Sequence, residues 1–132
     1  MIATDLVRQF YATQVHALDD GDFDGYAATF GPGSIFRIAG GPTLRGRDEI
    51  VGHSLLMRSE RSLRGAIQRH YMFDYSIRAM PSGTCVRACV LTVESSPGRP
   101  AIPTGIISCE DLLTPADDGG IWVESRNAEL LG

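Results

Sequence analysis

Three histidines, His16, His53 and His70, are the side chains here whose ordinary pKa of about 6.5 suits proton transfer at neutral pH. All 12 basic residues are Arg. A Schiff-base lysine and a phosphate-binding P-loop lysine are therefore both excluded. Cys85, Cys89 and Cys109 leave one odd thiol in any pairing. On a single strand, Cys85 and Cys89 share a face but stand about 13 Å apart at ~3.3 Å per residue, too far for a disulfide. Their Val, Leu and Ile neighbours predict buried, reduced and unreactive thiols. No CxxC, HExxH or paired Cys/His spacing occurs, so neither a metal nor any other cofactor is expected.

Two of these groups have companions worth weighing. Asp19, Asp20 and Asp22 cluster in ALDDGD at the end of a helical pattern. A carboxylate there faces the negative end of the helix dipole and, if buried, gains proton affinity toward use as a base. The same three residues also serve simply to end one helix and cap the next. His70 shares a strand face with Gln68, Met72 and Asp74. By alternation alone that face suits the solvent as well as a pocket. His16 falls on the Thr13/Asp20 side of its helix and is expected to be exposed, and His53, inside a later helix, is a weaker candidate.

The elements that must hold these residues follow from periodicity. From Thr4 to about Asp19, Leu6, Val7, Phe10, Tyr11, Val15 and Leu18 recur at three- and four-residue steps, with Thr4 as N-cap and Asp5 in the first turn. Gly21 breaks this helix, and Asp22 can cap a shorter one carrying Phe23, Tyr26, Ala27 and Phe30. After Gly31-Pro32-Gly33, a short strand spans Ser34 to Ala39 and ends at Gly40-Gly41-Pro42. A third helix runs from about Asp48 to Met57, with Ile50, Val51, Ser54 and Leu55 on one face, and RSERSLR (58–64) reads as its solvated end. The period then changes to two, Ile67, Arg69, Tyr71, Phe73, Tyr75 and Ile77 alternating with the His70 face. Pro81-Ser82-Gly83 turns into a strand from Thr84 to Ser95, a Pro/Gly-rich connection leads to Gly105–Leu113, and Asp117-Asp118-Gly119-Gly120 turns into a last strand, Ile121–Leu130. The string ααβαββββ predicts an α+β domain, three helices packed on a strongly curved antiparallel sheet of about five strands around a cone-shaped cavity.

With 132 residues, 43% apolar and 21% charged, the chain is one domain over residues 1–132 with a real core. No apolar run reaches the roughly 18 to 20 residues of a membrane span, and MIATDLVRQF carries charges where a signal peptide is apolar. A cytoplasmic location and no membrane association are expected. A net charge of −4 argues against nucleic acid as a partner.

FYATQVHALDDGDFDGYAATF, then LRGRDEIVGH, RHYMFDYSI and DDGGIWV, in this order and spacing, resemble the SnoaL-like members of the nuclear transport factor 2-like superfamily over about residues 5 to 130. The resemblance implies a cone-shaped α+β barrel whose pocket serves polyketide cyclases, scytalone dehydratase, ketosteroid isomerase and epoxide hydrolases, and also subunits without chemistry. It implies a pocket aspartate at Asp19 and a pocket histidine at His70. It also marks departures. Leu18 stands where the dehydratase has tyrosine, no histidine follows His70, and Ile38 occupies the position of the isomerase's aspartate base. An Asp-Arg-Asp arrangement of the epoxide hydrolase kind would have to come from Arg87, Asp111 and Asp74, which cross-strand ion pairing explains equally well.

The expected function is binding of a hydrophobic, polyketide- or terpenoid-like substrate and its cofactor-independent cyclisation, dehydration or isomerisation, with His70 and Asp19 as the acid-base pair. Tyr11, Gln14, Val15, Leu18, Phe30, Phe36, Ile38, Met57, Met72, Asp74 and Trp122 are the expected substrate-binding surface. The alternative is a non-catalytic ligand-binding or dimerising accessory protein, and epoxide hydrolysis is a third reading. The outer sheet face is expected to form a homodimer.

Overall fold

The structure, a computed structural model, describes residues 2–132. Helix α1 (Thr4–Asp19) forms because Val7, Tyr11 and Gln14 fall on one buried stripe. Its first residue is Thr4 itself, preceded by an extended Ala3 with no side-chain cap, so the expected capping role of Thr4 is not realised. Leu6, placed by pattern on the apolar stripe, lies at the surface. Gly21, at φ +80°, turns the chain where a side chain would be strained. Asp22 then caps α2 (Phe23–Ala28), its Oδ1 accepting the Gly25 N–H at 2.9 Å.

Strand β1 (Phe30–Ile38) starts four residues before the expected Ser34, because Gly31-Pro32-Gly33 lies within it as an irregularity in its pairing instead of breaking the chain. The three-residue β2 (Thr43–Arg45), unmarked in the sequence, folds back on β1 and leads into α3 (Gly46–Leu63). This helix outruns the expected end at Met57 because Arg58 to Leu63 contains no Gly or Pro to stop it. Then come β3 (Ile67–Met80), β4 (Gly83–Ser95), β5 (Ile102–Pro115) and β6 (Ile121–Leu130).

The sheet order is β2-β1-β6-β5-β4-β3. Strands β3 to β6 form an antiparallel meander, but β6 then pairs β1 in parallel. The sheet is therefore mixed, six-stranded and not closed, a correction to the expected antiparallel five. The parallel pair arises because the meander leaves one edge of β6 free, and β1, separated from it by α3 and four strands of chain, lies against that edge. The α+β class and the three helices stand as expected.

Between helices and sheet lies a core of Val7, Tyr11, Tyr26, Phe30, Ile50, Val86, Leu113 and Val123. Phe30 stacks on Phe36 with ring centroids 5.8 Å apart. Burying a side chain of this size contributes about 1.5–3 kcal/mol.

A candidate acid-base site in an apolar cavity

His70 is the fourth residue of β3, and β3 is the sheet edge. Peptide N–H groups along such an edge have no strand to receive them. Asp19, at the C-terminal end of α1, fills this vacancy: its Oδ2 accepts the His70 main-chain N–H at 3.0 Å, and its Oδ1 lies 2.6 Å from His70 Nδ1. One carboxylate thus holds the backbone and the ring together. An ionised carboxylate can only accept, so the proton sits on Nδ1 and the lone pair of the neutral ring is left on Nε2. The Asp19 side chain is 6% exposed and that of His70 17%, so the pair is sheltered without being sealed.

Which face of β3 lines the interior is decided by a bulge. The pairing with β4 slips between Phe73 and Ser76, and Asp74 takes φ +59°. Gln68, His70 and Met72 consequently turn inward before the bulge, and Tyr75 and Ile77 after it. Asp74 itself is exposed and takes no part in the cavity, contrary to expectation.

His70 opens on a cavity of about 230 Å³ together with Leu18, Phe36, Ile38 and Met57. A deeper compartment of about 110 Å³ shares His70, Leu18 and Phe36 and adds Gln14, Val15 and Met72. Tyr11 and Phe30, expected on the cavity wall, are buried in the core behind it. Trp122, also expected there, sits at the start of β6 with the Arg47 guanidinium 5.5 Å from its ring centroid. His16 is exposed. His53 does line the cavity, and burial, opposed by Glu60, pushes its pKa below the ordinary imidazole value.

The deep compartment ends on Arg126, a residue sequence reasoning missed. Its Nε and Nη2 each donate to Asp111 at 2.8 Å, Nη2 also donates to Gln14 at 2.6 Å, and Nη1 donates to the Tyr26 hydroxyl at 3.3 Å. The Tyr11 hydroxyl donates to Asp111 at 2.7 Å. Burial works against the Arg126 cation, but Asp111 more than reverses this and holds its pKa well above the ordinary value. Burial and the Asp111 charge raise the Tyr11 pKa, and burial raises that of Tyr26, so both stay neutral phenols. Asp111 therefore pairs with Arg126, directly opposite on β6, while Arg87 is exposed beside Glu110. The Asp-Arg-Asp arrangement considered for epoxide hydrolysis does not assemble. Asp111 was readable as inward from its alternation with Cys109 and Leu113. Arg126 was not, because β6 slips against β5 between Leu112 and Leu113, which reverses the face that Val123 predicts.

All three cysteines are free, with Cys85 and Cys109 buried, and burial raises the Cys109 thiol pKa. Among the described residues no group of three His, Cys, Asp or Glu side chains converges as a metal site. Among them, too, no helix is long and apolar enough to cross a membrane.

A family model described as a SnoaL-like domain matches residues 3–127. The chain belongs to the SnoaL-like family. Similar solved structures include a protein from Catenulispora acidiphila in complex with S-DNPA, at 30% identity and TM-score 0.83, covering 94% of this chain and 90% of that one. Aln2 from a Streptomyces species is 28% identical with TM-score 0.85, covering 98% and 94%. ActVI-ORFA from Streptomyces coelicolor shares the fold at TM-score 0.89 and 23% identity, covering 96% and 93%. No curated protein sequence matches. The SnoaL-like fold thus presents one titratable pair, Asp19–His70, at an otherwise mostly apolar cavity.

Proposed function

We propose that this SnoaL-like protein is an enzyme that takes a hydrophobic, polyketide- or terpenoid-like molecule and catalyses its cyclisation, dehydration or isomerisation without a cofactor. The observation that carries this is the two-point grip of Asp19 on His70, which leaves Nε2 as a base at the cavity. Nε2 would remove a proton next to a substrate carbonyl and return it elsewhere, while Asp19 stabilises the imidazolium that forms in between. The apolar wall would exclude water and hold the carbon skeleton in a reactive shape.

Proton abstraction can be read without knowing the natural substrate. Deuterium exchange at the α-carbons of cyclic ketones such as 2-tetralone, followed by NMR in D₂O, should run faster with the protein than in buffer. His70→Ala should remove about 10² to 10⁴ of the acceleration, the usual worth of positioned proton transfer.

A second reading, a ligand-binding accessory protein, is favoured by the single titratable pair: the other polar cluster, around Arg126, is matched internally. Tight binding of S-DNPA, the ligand of the similar Catenulispora structure, with exchange at the buffer rate, would select that reading over catalysis.

The outer sheet face is the surface we assign to a second copy of the chain. Ile67, Tyr71, Phe73 and Ile106 are exposed there, and a symmetric pair would cover them in both subunits. Sedimentation should give a dimer at micromolar concentration, and a strict monomer at 100-fold higher concentration would remove the assignment.

A further inference from the structure

Arginine is the only basic side chain of this protein besides histidine, and the buried or paired arginines have visible roles. Arg64 pairs with Glu94, Arg69 with Asp20, and Arg126 with Asp111. Arg47 donates to the Phe30 carbonyl and lies over Trp122, and Arg58 lies over Phe23. Arg61, in the last turn of α3, differs from all of these. It is half-buried, it lines both the main cavity and the adjoining opening beside Gln68 and His70, and among the described residues its guanidinium has no ion pair or hydrogen bond.

The carboxylates nearest in effect are already committed. Asp19 gives both oxygens to His70, and Glu94 is held by Arg64. Burial lowers the Arg61 pKa, and the pull of Glu94 and Asp19 does not restore it against the neighbouring Arg64. A guanidinium stays charged through any such shift, so an uncompensated cation faces the cavity.

We propose that Arg61 receives a carboxylate of the ligand, so that the substrate is a hydrophobic acid whose apolar body fills the cavity. The inference rests on the reading of the cavity as a small-molecule site. The planar fork of Arg61 offers two parallel N–H groups that match a carboxylate, and partial desolvation strengthens that contact. Glu129 lines the same cavity from β6, with β5 and β4 lying between that strand and β3, and would repel an acid bound the other way round. Anchoring at Arg61 would set the ligand's orientation and place the atoms next to its acid group within reach of His70.

The test uses two probes of one shape and different charge, naphthalene-2-acetate and naphthalene-2-acetamide, titrated calorimetrically into the full chain. The wild type should bind the acid at least about 10-fold more tightly than the amide, the scale of a charge-assisted hydrogen bond in a partly dry site. Arg61→Gln should weaken the acid about 10- to 100-fold and leave the amide within about twofold. Arg61→Lys should keep part of the preference, and Arg69→Gln, on the outer face, should change neither probe. Equal binding of acid and amide by the wild type, or equal weakening of both by Arg61→Gln, overturns the inference and leaves the cavity as a site for neutral ligands. If neither probe binds, the small-molecule reading falls with it.

Discussion

Two charge-bearing clusters lie within this fold, and they are built to opposite ends. Around Arg126, one guanidinium is matched to Asp111, Gln14 and Tyr26, and it lies beside the stacked Phe30 and Phe36 rings at 5.0 and 5.5 Å from their centroids. Around His70, one carboxylate holds the ring from one side only, and the other ring nitrogen is left open to the cavity. A buried cluster with nearly every donor matched has little left to offer a substrate and much to lose when broken. A sheltered pair with one open valence has the reverse profile. By this contrast the Arg126 cluster serves stability, and the His70 pair is the one suited to chemistry.

The sharpest way to break this division is Arg126→Met. The substitution leaves the Asp111 carboxyl in the core without its cation and with only the Tyr11 hydroxyl as partner, and the loss should be about 3–5 kcal/mol of unfolding free energy in a urea titration. Adding Asp111→Asn to it should restore part of that loss, because the uncompensated charge is removed as well. A loss below about 1 kcal/mol in the single variant would mean that water already solvates the cluster.

Asp19→Asn should act on the other side of the comparison. Asparagine can no longer accept from both the His70 N–H and the ring, so the ring loses its tautomer and orientation. Turnover in the exchange assay should fall by about 10² or more, while unfolding free energy changes by only about 1 kcal/mol. Combined with His70→Ala, the loss of activity should be less than additive, since the two residues act as a unit. An additive double variant would sever the pair.

Tyr11→Phe probes the rim of the stable cluster. It removes one neutral donor to Asp111, whose Oδ2 retains Arg126, so the cost should be about 1–2 kcal/mol with no change in exchange activity. A cost equal to that of Arg126→Met would place the phenol, and not the guanidinium, at the centre of the cluster.

The same two clusters mark how far the sequence could be read. The first two helices were legible because Val7, Phe10, Tyr11 and Leu18, or Phe23, Tyr26 and Ala27, repeat at helical spacing. Strand β3 was legible from alternation and β4 to β6 from the turns and the Pro/Gly-rich connection that bound them, though β5 runs three residues earlier than expected, from Ile102. Beyond that, two bulges decide the interior. The one at Asp74 turns His70 inward while leaving Tyr71 and Phe73, the larger apolar residues, outside. The slip between β5 and β6 turns Arg126 inward from a strand, VESRNAE, whose polarity reads as surface. A bulge is set by pairing with a neighbouring strand, so alternation within one strand cannot reveal it. The parallel contact of β1 with β6 is hidden for the same reason. Arg61 was hidden differently: its RSERSLR stretch reads as solvated, and only the fold of β3 beneath α3 brings it to the cavity.

The smallest expected effect belongs to His53, which lies between the two clusters in character: a titratable ring at the cavity with no hydrogen bond holding it among the described residues. Burial lowers its folded-state pKa, and Glu60 opposes this. The unfolded chain takes up a proton here near pH 6.5, whereas the folded protein does so only at lower pH. As pH falls below about 6.5 the unfolded state therefore binds more protons, and stability declines until the folded ring is protonated as well; above that window this group contributes no slope. Comparing urea midpoints of the wild type and His53→Asn between about pH 5 and 7.5 isolates the contribution, and the variant should show the flatter curve. Filling the cavity with naphthalene-2-acetamide buries the ring further, so the wild type should release a fraction of a proton on binding near pH 6, and His53→Asn should not. Matching curves and matching proton release in the two proteins would show that His53 is solvated from outside and stands apart from the cavity's electrostatics.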